Sequence, residues 1–105
     1  MKDSFAIWLR WSVKPGRVPE FVAAWEEVTR AMIAQGSYGS ALFEGPDGTF
    51  YAMARWPDAK IRRERMTEYL TDSSLLALAD ATEDFFPTLE LKERINMWTQ
   101  AGDGL

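Results

Sequence analysis

From Ser4 to Val13 the chain alternates. Phe5, Ile7, Leu9, Trp11 and Val13 fall on one side and Ala6, Trp8, Arg10 and Ser12 on the other. A period of two reads as a strand. Its second side still carries a tryptophan, so this strand belongs inside a sheet rather than at its edge. Pro15 and Gly16 end the run, and the period changes. Val18, Phe21, Val22, Trp25, Val28, Thr29 and Met32 recur at helical spacing, with Arg17, Glu20, Glu26, Glu27 and Arg30 on the opposite side. This is an amphipathic helix of about 18 residues, with Pro19 tolerated in its first turn and Gly36 as its stop.

Residues 37–44 and 49–56 form the arms of a predicted hairpin around Pro46-Asp47-Gly48. Proline presets φ, aspartate bonds back to the main chain and glycine takes the left-handed position. On the second arm Phe50, Ala52, Ala54 and Trp56 share one face, and Tyr51, Met53 and Arg55 share the other. Asp58 then caps a helix expected over 59–71, with Ile61, Met66, Tyr69 and Leu70 turned inward. Asp72, Ser73 and Ser74 start a further short helix, whose stripe is Leu75, Leu78, Ala79, Thr82 and Phe86, and Pro87 ends it. Residues 88–98 alternate again. Leu89, Leu91, Ile95 and Met97 oppose Glu90, Lys92, Arg94 and Asn96, predicting a last strand with one wet face.

The order β-α-β-β-α-β predicts a ferredoxin-like α+β domain, a four-stranded antiparallel sheet with its helices on one face. Residues 1–98 make up this single domain, and the polar, glycine-containing tail at 99–105 is expected to fray. Helices on one face leave Trp8, Tyr51 and Met53 uncovered on the other. An apolar sheet face of that kind implies a partner, and a second copy in a homodimer is the simplest closure. Arg10 and Arg55 fall on the same face and need acidic partners, for which Glu44 and Glu93 are candidates.

Composition narrows the chemistry. The 105 residues include no histidine and no cysteine, but five Trp, six Phe and three Tyr. That excludes an imidazole base, a thiolate nucleophile, a zinc-thiolate site and a histidine-held haem. A metal site would have to be built from carboxylate and carbonyl oxygens, which suits Mg or Ca; no metal and no cofactor are expected. The net charge of −4 argues against nucleic acid. No apolar run reaches the roughly 20 residues that span a bilayer, and the first residues lack the apolar core of a secretion signal. A cytoplasmic protein with no membrane partner is the expectation.

The motifs carry a resemblance. The first strand running into Val13-Lys14-Pro15-Gly16, the helix with Phe21 and Trp25-Glu26-Glu27, the glycine-led entry from Gly36 to Leu42, and the strand Tyr51-Ala52-Met53-Ala54-Arg55-Trp56 follow one another in a characteristic order. In that order and spacing the chain resembles the antibiotic-biosynthesis-monooxygenase-like family of dimeric α+β barrels over residues 4–98. The resemblance implies a ligand held between sheet and helices. Its wall would include Leu9, Trp11, Phe50, Ala52, Ala54 and Trp56, with Trp25 facing them from the first helix. Among the family's functional positions, Trp56 is kept. The asparagines of relatives fall on Leu9 and Ala52, and the two histidines of their second-helix run fall on Tyr69 and Ser74. Haem degradation is thereby disfavoured.

The candidate catalytic residues are Trp56 and Tyr69, the tyrosine as acid or base. Arg62 and Arg65 make either a solvated charged face or a pair that meets an anionic substrate, with Arg65 as the pocket candidate. Two functions stay open: a cofactor-independent monooxygenase acting on a small aromatic or apolar molecule, and a dimeric small-molecule-binding module without catalysis.

Overall fold

The elements run β1 (Phe5–Val13), α1 (Val18–Ala34), β2 (Gly39–Glu44), β3 (Phe50–Trp56), α2 (Ala59–Thr67), α3 (Ser73–Ala81), β4 (Thr82–Phe85) and β5 (Leu89–Lys92). The structure, a computed structural model, describes residues 5–67 and 72–99. The tail beyond Thr99, and Tyr69 and Leu70 with the end of the helix expected to reach 71, lie outside the described residues.

β1 is the strand on which the sheet is built. Along one edge all of β3 pairs with it, from Phe5 opposite Trp56 to Trp11 opposite Phe50. Along the other edge lie first β4 and then β5, both antiparallel to β1. With β2 outside β3 the order is β2-β3-β1-β4, and β5 continues the β4 edge. This is the predicted ferredoxin-like α+β arrangement, with its last strand in two pieces.

The hairpin between β2 and β3 follows the residues of its turn. The Gly45 N–H donates to the Thr49 carbonyl at 2.8 Å, and the Thr49 N–H donates to Asp47 Oδ1 at 3.0 Å. Those Thr49 hydrogen bonds hold the Asp47 carboxyl below its usual pKa. Gly48, at φ 83, takes the left-handed conformation. Asp58 and Asp72 both act at helix starts, accepting from the Ile61 N–H at 2.8 Å and the Ser74 N–H at 2.9 Å.

Three expectations are corrected. The stripe of α1 is rotated: Phe21, Ala24 and Met32 are its buried residues, whereas Val18 and Val22 are exposed. The helix rests on the sheet through Ala24, where a small side chain permits close approach. The third helix stops at Ala81 instead of reaching Phe86. There the Ala81 carbonyl accepts the Lys14 N–H at 2.9 Å, Thr82 Oγ1 donates to the Leu78 carbonyl at 2.8 Å, and Thr82 turns extended to pair with β1. Residues 82–86 fit helical spacing locally, but the free edge of β1 claims them.

The last strand is the third correction. It covers Leu89–Lys92 rather than 88–98, and all four of its residues are exposed. Four steps of chain from Phe85 to Leu89 run beside three steps of β1 from Trp11 to Trp8. One residue is therefore extra around Pro87, which has no N–H to give to a ladder. The extra residue reverses the alternation. Leu89 faces across from Trp8 and Leu91 from Ala6, on the side away from the helices, while Glu90 pairs with Ile7 on the helix side. Arg55 finds one of its anticipated partners, Glu93, at 3.1 Å with both side chains four-fifths buried. Arg10 stacks on the ring of Phe86, 4.3 Å from its centre.

The core lies between β1–β3 and the helices in two groups. One gathers Trp11, Phe21, Phe50, Ala52 and Leu78; the other gathers Phe5, Ile7, Met32, Ala54 and Trp56. Phe21, with 0% of its surface exposed, meets Trp11 edge-on at 5.4 Å and Phe50 at 5.2 Å. Phe21→Ala removes the ring that joins α1 to both central strands. It is expected to destabilise the domain by about 3–5 kcal/mol, read as a lower urea midpoint at unchanged slope.

Candidate functional site

The two core groups leave a cleft between them, enclosing about 540 Å³. Its floor is the helix-facing side of the sheet: Ile7, Leu9 and Trp11 from β1, and Ala54 and Trp56 from β3. Its roof is Trp25, Val28, Thr29 and Met32 from α1 with Leu75, Leu78 and Ala79 from α3. Arg62 and Met66, one helical turn apart on α2, close one side. Thr82, Glu83 and Phe85 form the rim on β4. A space of this size, mostly hydrocarbon with a few polar groups, has the character of a small-molecule pocket.

The predicted site residues divide. Trp56, Trp11, Leu9 and Trp25 all line the cleft. Trp56 is 2% exposed, so its indole is fixed by packing. Trp11 is held between Phe21 and Phe85, the latter at 5.6 Å. Phe50 and Ala52 do not line the cleft. They lie on the same face of β3, but Phe21 and Ala24 of α1 sit directly on that stretch and fill it. Arg65 is exposed on α2, and the cleft takes Arg62 instead. Met66, four positions after Arg62, carries the same stripe inward. Tyr69 lies outside the described residues.

One lining residue gave no signal in the sequence. Glu83 sits between Thr82, opposite Val13, and Asp84, opposite Ser12. Two neighbours in β1 thus face three residues in β4, which makes Glu83 the bulged residue. A bulge re-aims a side chain out of the regular alternation, and such features recur beside active sites. In the sequence Glu83 is merely half of an adjacent acidic pair, because the bulge exists only once β4 has paired.

The charges in the lining are thus one guanidinium, Arg62, and one carboxylate, Glu83. Burial presses the Arg62 pKa below its ordinary value, and the nearby Glu90 carboxylate opposes that shift. Arg62 remains a cation at any working pH. Ser37 is buried under α1, its hydroxyl donating to the Arg55 carbonyl at 3.1 Å and accepting from the Gly39 N–H at 3.0 Å. Among the described residues no three His, Cys, Asp or Glu side chains are grouped to hold a metal ion. No described helix is long and apolar enough to cross a membrane.

Sheet, helices and cleft together define a ferredoxin-like α+β domain with an apolar pocket between its two layers. Solved structures that superpose on the chain include antibiotic biosynthesis monooxygenase structures, and the chain shares their fold. A variant of SnoaB, a cofactor-independent oxygenase from Streptomyces nogalater, superposes with a TM-score of 0.76 at 17% identity, over 90% of this chain and 97% of that one. A candidate antibiotic biosynthesis monooxygenase from Chloroflexus aurantiacus gives 0.74 at 9% identity, again over 90% and 97%. A second candidate of that kind, from Bordetella bronchiseptica, gives 0.71 at 15% identity, over 91% and 100%. At these identities the likeness is one of fold. No protein-family model and no curated protein sequence matches the chain.

A cleft walled by Trp11, Trp25 and Trp56 should report its own occupancy. Naphthalene added to the folded protein is expected to change tryptophan emission saturably. Leu75→Trp puts an indole into the space and should abolish that response while the circular dichroism of the fold is kept. Quenching that persists unchanged in Leu75→Trp would place the ligand elsewhere.

Proposed function

We propose that this protein is a cofactor-independent monooxygenase-like enzyme acting on a small aromatic molecule held between sheet and helices. The observation that carries the reading is the tryptophan-walled cleft in a fold shared with a cofactor-independent oxygenase. Chemistry without a metal or cofactor is open to a substrate that supplies its own electrons. An anthrone serves as the example. Loss of a ring-carbon proton gives an electron-rich anion, which reduces O₂. One oxygen atom ends on that carbon as a new carbonyl, and the other leaves as water with the two hydrogens lost by the carbon. The protein's share is to orient the rings, exclude water and accept a proton. Trp11, Trp25 and Trp56 orient. Glu83 is the carboxylate on the cleft's rim, and Tyr69 is the second candidate for the proton.

Oxygen uptake in the presence of anthrone tests the reading. Turnover above the protein-free rate is expected, lower in Trp56→Phe. Glu83→Gln and Tyr69→Phe separate the two proton acceptors, since the variant lacking the true one should lose activity without losing binding. Saturable binding with no oxygen uptake would instead favour a binding module, the reading supported by the replacement of the resembled family's His and Asn positions by Leu9, Ala52, Tyr69 and Ser74.

The reading includes a cytoplasmic homodimer. The sheet face away from the helices presents Trp8, Tyr51 and Met53, half-buried, beside exposed Phe43, Leu89 and Leu91. A contiguous apolar face of that kind is costly to leave in water, and a second copy would bring an identical face to cover it. Light scattering should give twice the 12.0 kDa chain mass. Trp8→Glu, which buries a charge in that contact, should return it to one.

A further inference from the structure

Arg62 is held in the cleft wall with its hydrogen-bonding capacity unspent. Its side chain is 17% exposed and lines the cleft. Its Nε is out of solvent and makes no hydrogen bond to any described residue. The carboxylate of Glu90 stands 3.9 Å from its Nη1, beyond hydrogen-bond length. The same Glu90 oxygen is shared with Arg63, 3.7 Å away. One negative charge therefore faces two positive ones, and neither guanidinium is satisfied by it.

Glu90 is there because the extra residue near Pro87 turns it to the helix side of the sheet. It is close enough to hold Arg62 at the wall and too far to complete it. A guanidinium offers five donors in a rigid fork, and leaving a buried donor unfilled is unfavourable. The described lining of the cleft is largely apolar, Ile7, Trp56 and Met66 among it, and its one carboxylate is Glu83 on the rim.

We infer that Arg62 is the recognition group for an anionic oxygen on the ligand, so that the cleft selects acidic aromatics, those bearing a carboxylate or a phenolate. The ring system lies against the tryptophans, and its charged oxygen meets Arg62. A carboxylate suits the site best, because two parallel N–H···O bonds match the guanidinium edge. The inference rests on the proposed function only in requiring that the cleft bind aromatic molecules; it requires no turnover.

The test is a pair of probes of nearly equal shape, 2-naphthoate and 2-naphthamide, titrated calorimetrically at neutral pH. The unaltered protein should bind naphthoate about tenfold or more tightly than naphthamide, the advantage of a charge-assisted bond over a neutral one in a sheltered site. Arg62→Met keeps the apolar stem and removes the fork. It should weaken naphthoate binding far more than naphthamide binding and bring the ratio close to one. Arg62→Lys, which keeps the charge without the fork, should fall between.

Equal affinities in the unaltered protein would overturn the inference without any variant, leaving the aromatic cleft intact. A preference for naphthoate that survives in Arg62→Met would overturn it equally. Failure of both probes to bind the unaltered protein would overturn this inference and the proposed function together.

Discussion

The structure depends on how α1 is held to the sheet: at two places, and not between them. Near one end Phe21 wedges between Trp11 and Phe50. Near the other Met32 packs with Phe5, Ile7 and Trp56. Leu9 and Val28 touch both groups and also line the space between. Large rings at the ends and the small Ala54 between them cannot give one evenly packed layer. A void of this kind forfeits the dispersion contacts that its lining would otherwise make, so it persists only where its walls are fixed by packing elsewhere. The two aromatic anchors provide that fixation, and a ligand of matching shape restores the contacts. Stability and binding are thus two consequences of the same spacing.

β1 governs the rest. It is paired along both edges, and its second edge is filled by a strand broken at Pro87. Before the break, Phe85 stands beside Trp11 and closes the cleft. After it, the leucines turn to the open face of the sheet and Glu90 turns towards α2. One additional residue accordingly does two things at once. It delivers apolar surface to the face that lacks helices, and it delivers a carboxylate to the side of Arg62.

Much of this was legible in the sequence wherever local rules decided it. The alternation of β3 reproduces its burial residue by residue, since a strand with one covered face must show a period of two. The turn at Asp47 and the caps at Asp58 and Asp72 depend on neighbours a few positions away, and they formed as their residues dictate. What failed was decided at long range. Thr82 to Phe85 satisfy helical spacing, but pairing with a strand some 70 positions earlier in the chain overrides it. Phe50 and Ala52 share a face with Ala54 and Trp56, so periodicity alone cannot tell which part of that face a helix covers. Arg62 and Arg65 lie in one basic run, and only the seating of α2 separates the buried guanidinium from the exposed one.

A chain without histidine or cysteine has few groups with which to move protons, so the placing of its remaining charges matters more. Along β1 the register sets Glu90, and with it Arg62, level with Ile7, while Glu83 lies level with Ser12 and Val13. Five steps of strand separate those levels, about 17 Å at the usual rise per residue. Between them run Leu9 and Trp11 of β1, with Trp25 on α1, and the described lining holds no charged side chain besides Arg62 and Glu83. The cleft therefore has a positive end and a negative end joined by an aromatic passage. Arg62 is sheltered whereas Glu83 is exposed on the rim, so the positive end is the less screened of the two. That polarity favours the orientation of an anionic ligand that sets its charge at Arg62 and its apolar body along the passage.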